Sequence, residues 1–410
     1  MSERETRWDV PGLLRDPSTR IVVACGSGGV GKTTTAAALG LLAARAGRRT
    51  VVLTIDPARR LAQSLGLGEL DNTPRRVDEA CADLPAAPGP DGAGPGELFA
   101  MMLDMKRTFD EVVSAHASPE RAAQIFANPF YQSLSSSFAG TQEYMAMEKL
   151  SQLRLADEWD LIVVDTPPSR SALDFLDAPG RLGRFLDGRM IRLLSGPARV
   201  GGKAYLRVMS ASMRVFSGVL DRVIGGDLLR DVSAFVAAME TMFGGFRERA
   251  QLTYQLLKAP GTAFVVVATA QTAALREASY FIERLDAERM PVAGLVVNRV
   301  QPGAAHELTA ARAAAAAGML RGRDAAPGPD RPGGGAAERS ADLLAAAALA
   351  AHAEAAAARA AQQRLIRRMG AAHPGLPMIQ VPALPTDVHD LAGLRRVGAA
   401  LSGAAESTPR

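Results

Sequence analysis

The sequence predicts a doubly wound α/β fold: a mostly parallel sheet with helices on both faces and an inserted α-helical subdomain. Three observations carry this expectation. Short β-branched runs alternate with helical stretches, each run ends on Gly, Pro, Asp or Asn, and the first passes straight into a glycine-rich turn and a helix. Continuous apolar runs of this length read as strands buried on both faces.

Ile21–Cys25 is the first strand, and its turn leads into a helix over Lys32–Ala46, rich in Ala and Leu and stopped at Gly47. Thr50–Ile55 is the next strand, closed by Asp56 and Pro57. Asp71–Gly96, rich in Pro, Gly and Ala, reads as a loop, and Leu98–Leu103 as a further strand followed by helical sequence to about Leu155. Leu161–Val164 is a strand closed by Asp165-Thr166-Pro167-Pro168. Ala263–Ala268 and Val292–Asn298 share that design, and Met378–Val381 with a last helix over Leu391–Leu401 completes the set. From Arg181 to Leu257 no strand is legible, only amphipathic patterns carrying Met190, Met209, Met213, Met239 and Met242. Ala304–Gln363 is dominated by alanine, the best helix former, and predicts two solvent-facing helices split by a loop at 326–335.

The chain therefore divides into an extension (1–19), an α/β core (20–300) with helical inserts at about 104–156 and 181–258, and an alanine-rich segment (301–370). The last strand and helix of the core (371–402) and a short tail (403–410) follow. A formal net charge of +4 from 47 basic and 43 acidic residues, without a polybasic block, gives no support for a nucleic-acid partner. Two cysteines, Cys25 and Cys81, exclude a disulfide framework and suit a reducing compartment. The charged N-terminus lacks the apolar stretch of a signal peptide, and no run reads as a membrane span, so a cytoplasmic protein that is not integral to a membrane is expected.

The chemistry concentrates in Gly26-Ser27-Gly28-Gly29-Val30-Gly31-Lys32-Thr33-Thr34, which fits G-x-x-x-x-G-K-S/T between a strand and a helix. Glycines let backbone N–H groups turn inward around phosphates, and the helix N-terminus adds positive dipole. This is the loop of P-loop NTPases and implies ATP, with Lys32 reaching the β/γ-phosphates and the Thr33 hydroxyl ligating Mg²⁺. Asp56 and Asp165 each follow an apolar strand. Asp165 is placed to hold Mg²⁺ directly or through water, and Asp56 to position the attacking water; the plainer alternative for either is a helix cap.

Together G-S-G-G-V-G-K-T-T, T-I-D-P-A and D-T-P-P resemble the ArsA-type ATPases, a family within the MinD/ParA-like group. Ala139–Leu150 is similar to the actinobacterial branch. The resemblance implies a nucleotide-gated dimer, formed with itself or a related ATPase, acting on a protein client or a membrane-protein partner. It also implies that Asp56 orients the water, that a second switch begins at Asp165–Pro168, that Asn298 reads adenine, and that the loop Pro382–Val388 packs on the base. The family loop carries lysine where this chain has Ser27, which brings no charge; that departure allows a weakly active regulatory subunit of a heterodimer. Arg59 or Arg60 is a candidate replacement, against a plain surface role. Two separated cysteines do not suit the thiolate metalloid site of the arsenite-pump members. A groove for an apolar client would use methionines such as Met101, Met102, Met105, Met145 and Met147; the alternative is that these are core. A MinD/ParA-like partitioning role would need an amphipathic or basic C-terminus, and Ala399–Arg410 is neither.

Overall fold

A computed structural model describes residues 8–56, 60–82, 96–129, 131–132, 135, 141–167, 248–249, 251–303, 308–325 and 336–403. The described strands are β1 (Ile21–Gly26), β2 (Arg49–Thr54), β3 (Arg75–Arg76), β4 (Glu97–Met102), β5 (Leu161–Asp165), β6 (Thr262–Thr269), β7 (Val292–Val300) and β8 (Met378–Pro382). They form one sheet in the order β3-β4-β2-β5-β1-β6-β7-β8. Every pairing is parallel except that of β3 with β4. The expected doubly wound sheet is therefore present, and β1 lies centrally, between β5 and β6, where the strand order reverses.

The helices we label α1 (Val10–Arg15), α2 (Lys32–Arg45), α3 (Arg60–Ser64), α4 (Asp78–Ala82), α5 (Met105–His116), α6 (Pro119–Ala127) and α7 (Thr141–Leu155). Further along come α8 (Thr272–Ala287), α9 (Ala310–Ala325), α10 (Ala336–Ala372) and α11 (Leu391–Ser402). Residues on β1 alternate between two cores, as a pleated strand requires. Ile21, Val23 and Cys25 face a layer holding Phe109, Tyr144, Leu150 and Phe281, whereas Val22 and Ala24 face α2, Leu14 and Leu394. Each fully buried Val or Leu contributes ~1.5–3 kcal/mol, and β1, β2 and β5 expose almost none of theirs.

Two segments differ from expectation. The stretch 71–96, read as a loop, contains β3 and α4. A two-residue arginine strand has no apolar alternation to betray it; it is held as an antiparallel edge against β4, with Arg76 ion-paired to Glu97 at 3.1 Å. The segment read as an extension contributes α1 and Trp8, both packed into the core. The alanine-rich segment does form two helices, α9 and α10, packed as a pair with Ala313, Ala317 and Ala346 buried between them. Within α10, Ser340–Ala372 is the one helix among the described residues long and apolar enough to cross a membrane by length and composition; 11% of its most apolar window is buried. Its hydropathy comes largely from alanine.

The first helical insert is present as α5, α6 and α7, whereas residues 181–247 of the second, with Met190, Met209, Met213, Met239 and Met242, lie outside the described residues. Met101, Met145 and Met147 are core residues, each at most 1% exposed.

Candidate nucleotide site

The glycine-rich turn leaves β1 at Gly26, whose φ is 147°. A Cβ there would lie 2.1 Å from the Val267 carbonyl oxygen, so only glycine lets β1 and β6 stay paired as the chain turns. The turn ends at Gly31, φ 97°, which is the N-cap of α2 and offers no side chain to the first N–H groups of that helix. Uncapped amides at the positive end of a 14-residue helix are a phosphate receptor.

Lys32 is 7% exposed, and its Nζ donates to the Ser27 carbonyl at 2.8 Å, folding the side chain back over the loop. Burial lowers its pKa, and the nearby Asp165, Cys25 and Asp56 oppose that shift, while Arg60 adds to it. Arg60 is therefore close enough to be felt, yet it stands exposed at the start of α3; Arg59 lies outside the described residues.

Asp165 ends β5 beside β1 with no exposed surface. Its Oδ2 accepts the Thr54 hydroxyl at 2.9 Å, and its Oδ1 is buried with no hydrogen-bond partner. Desolvation pushes its pKa up to about 6. The Thr33 and Thr54 hydroxyls and Lys32 pull it back, and Asp56 pushes it further up. Thr33 lies close enough to act on this carboxylate without supplying Oδ1 with a hydrogen bond. A dry, acceptor-only oxygen beside a hydroxyl is what a hard divalent cation takes, so Thr33 and Asp165 fit Mg²⁺. Asp56 is half-buried and acts electrostatically on both Lys32 and Asp165. The strand ends thus gather Lys32, Thr33, Asp56 and Asp165 on one side of the loop.

On the other side, β7 brings Asn298 onto the loop itself. Its Nδ2 donates to the Val30 carbonyl at 2.8 Å and its Oδ1 accepts the Arg299 amide at 2.9 Å. That Nδ2 lies 2.2 Å from where a Cβ on Gly31 would be, so asparagine and glycine fit as a pair. Pro382 ends β8, level with Val300 of β7, and is exposed. Ser27 is 9% exposed; Gly28 and Gly29 are exposed, and Thr34 is half-buried in the first turn of α2.

Four residues of this region carry no role of their own in the sequence reading. Thr54 and Thr166 hold the strand ends, the latter by its hydroxyl to the Ala24 carbonyl at 2.9 Å. Gln142 donates to the Ile55 carbonyl at 2.8 Å, just ahead of Asp56. Arg299 has φ 56°, inside a register shift between Val297 and Val300 on the β7–β8 pair. Thr54 and Thr166 stand inside the T-I-D-P-A and D-T-P-P motifs and Gln142 inside Ala139–Leu150, whereas Arg299 is marked only by following Asn298.

Cys25 is buried against the Val265 carbonyl, its thiol pushed up to about 12 by burial. Among the described residues no group of three or more His, Cys, Asp or Glu is placed to hold a metal ion.

The family model described as anion-transporting ATPase matches residues 19–319. An ATPase GET3 of Podospora anserina is 24% identical over 315 residues, covering 73% of this chain and 79% of that one. An ATPase GET3 of Ajellomyces dermatitidis is 23% identical, covering 70% and 75% respectively. An uncharacterized protein of Streptomyces coelicolor, SCO2128, is 32% identical over 195 residues, 46% of this chain and 43% of that protein.

Proposed function

The chain belongs to the anion-transporting ATPase family, and from that premise we propose that it binds ATP with Mg²⁺ at Gly26–Thr34 and hydrolyses it. The observation that carries this reading is the buried pair beside the loop: Lys32 folded onto the Ser27 carbonyl, next to an Asp165 whose Oδ1 has no partner. Two opposite charges held dry, one of them unsatisfied, are costly unless a ligand completes them.

Loop amides and Lys32 hold the phosphates, and Asn298 with the Pro382–Val388 loop takes the base. Thr33 and Asp165 would hold Mg²⁺, which would supply charge neutralisation at the phosphate oxygens. Asp56 orients a water for in-line attack on the γ-phosphorus. The bond from that phosphorus to the β–γ bridging oxygen breaks, and ADP and phosphate leave. Lys32 and the α2 amides stabilise the charge on the departing oxygens. Membership of the family and the GET3 relatives also support a dimer whose opening follows nucleotide state and which serves a protein client. Phosphate release by the purified chain, with Mg²⁺ and with a chelator, tests the core of the reading. Absence of ATP binding by the unaltered chain would sink it.

Ser27 favours a second reading, in which the lone chain turns over slowly and a related ATPase carrying lysine at that loop position completes its site. Rates of the chain alone and mixed with such a partner separate the two. Full turnover alone would count against the regulatory role.

A further inference from the structure

Arg299 occupies a position that its backbone alone does not favour. Of the three non-glycine residues with positive φ among the described residues, Asp157 and Arg289 each follow the end of a helix, where a left-handed residue is ordinary. Arg299 instead lies within β7, next to Asn298, where the ladder with β8 slips. A side chain gains little from this strained geometry unless its direction matters. The bulge sends Arg299 to the phosphate loop: its Nη1 lies 3.4 Å from the Gly29 carbonyl, and its Nη2 3.6 Å from Asp387.

Neither contact explains the strain. The hydrogen bond is long, and the ion pair is solvated, with side-chain exposures of 55% and 94%. Arg299 also lines a cleft of about 470 Å³ together with Ser27, Gly28, Gly29 and Val30. Among the described residues lining this cleft it is the one cation, and Glu277 is the one acid. Ser27 brings no charge to the same wall.

The geometry points to Arg299 as a phosphate-binding residue, a guanidinium held loosely beside the loop that moves from Gly29 and Asp387 onto the phosphate chain when nucleotide enters. The inference rests on the nucleotide-binding reading above. A guanidinium presents paired N–H groups in the plane that two phosphate oxygens need, which suits recruitment by phosphate over a backbone carbonyl.

Arg299→Asn removes the charge but keeps a residue that tolerates the left-handed backbone; Arg299→Lys keeps a charge. Calorimetric titration with ATP, and competition by adenosine against a fluorescent ATP analogue, are measured for the full chain and both variants. Arg299→Asn is expected to weaken ATP about tenfold or more and to leave adenosine within about twofold, with Arg299→Lys between. Equal weakening of ATP and adenosine would make Arg299 a structural brace and overturn the inference, as would unchanged ATP affinity. If the unaltered chain binds no ATP, the nucleotide reading falls, and this one with it. If it binds ATP and Arg299→Asn binds equally well, only this one falls.

Discussion

The two sides of the phosphate loop are built on opposite principles. On the β5 side Asp165, Thr54 and Lys32 are nearly or wholly removed from water and locked at distances of 2.8–2.9 Å. On the β7 side Arg299 and Asp387 stand in solvent, linked by a long contact at 3.6 Å. Charge buried without a complete set of partners is expensive in the empty protein and powerful once a ligand completes it. Charge left in water costs little and contributes little until something draws it in. The sealed side is thus suited to chemistry, the open side to admitting and retaining the ligand.

Substitutions separate the two sides in order of effect. Lys32→Ala should lower phosphate release by about a thousandfold, since it removes a preorganised cation from a dry site; retention of even a tenth of the rate would place the chemistry elsewhere. Asp165→Asn should cost about a hundredfold and abolish the response of turnover to added Mg²⁺.

The same carboxyl sets a pH dependence in the unliganded chain. Its pKa of about 6 when folded lies above the ordinary 3.8. Its contribution to stability is therefore full below about pH 4 and is lost as pH rises through 6, by up to about 3 kcal/mol. Thermal unfolding between pH 4 and 7 should show Asp165→Asn gaining on the unaltered chain as pH rises; parallel curves would mean that the carboxyl is solvated.

Thr54→Val leaves the second carboxylate oxygen without its donor and should lower stability by about 1–3 kcal/mol, read from the urea midpoint. It also removes a hydroxyl that holds the Asp165 pKa down, so the pH-dependent loss should move to higher pH. Asp387→Ala removes a side chain that is 94% exposed while keeping the backbone of the Pro382–Val388 loop, and should change ATP affinity by no more than about twofold. A tenfold effect there would show that the open side is tighter than its geometry says.

The sealed side was legible in the sequence and the open side only in part. A parallel strand that ends in Asp announces both itself and its carboxylate, because burial on both faces forces an unbroken apolar run and the sheet end is where polar groups gather. Asp56 and Asp165 stand out that way, and Lys32 through the G-x-x-x-x-G-K-S/T spacing of the loop. β4 was placed within a residue of its observed span for the same reason. Arg299 could not be: its direction depends on a slip in the β7–β8 register, which follows from how two distant segments pack. Asn298 stands out by its place near a strand end, but its partners, the loop carbonyl of Val30 and the Arg299 amide, do not; an asparagine in the sequence does not say which neighbour its amide will meet. β3 and α1 were missed because short elements carry too few residues to show a period.

The central place of β1 has a consequence for how the protein comes into being. The strand that bears the phosphate loop is made first, yet its neighbours are β5, pairing Ile21 with Ile162, and β6, pairing Ile21 with Thr262. At synthesis rates on the order of 5–20 residues per second, roughly ten to fifty seconds pass between the making of β1 and of β6. Through that interval Ile21–Cys25 has no sheet partner on its β6 side, and Gly26 has no Val267 to close against. The first motif written in the chain is therefore among the last to become a site, and early release or truncation before β6 yields a nascent chain with the motif and no receptor.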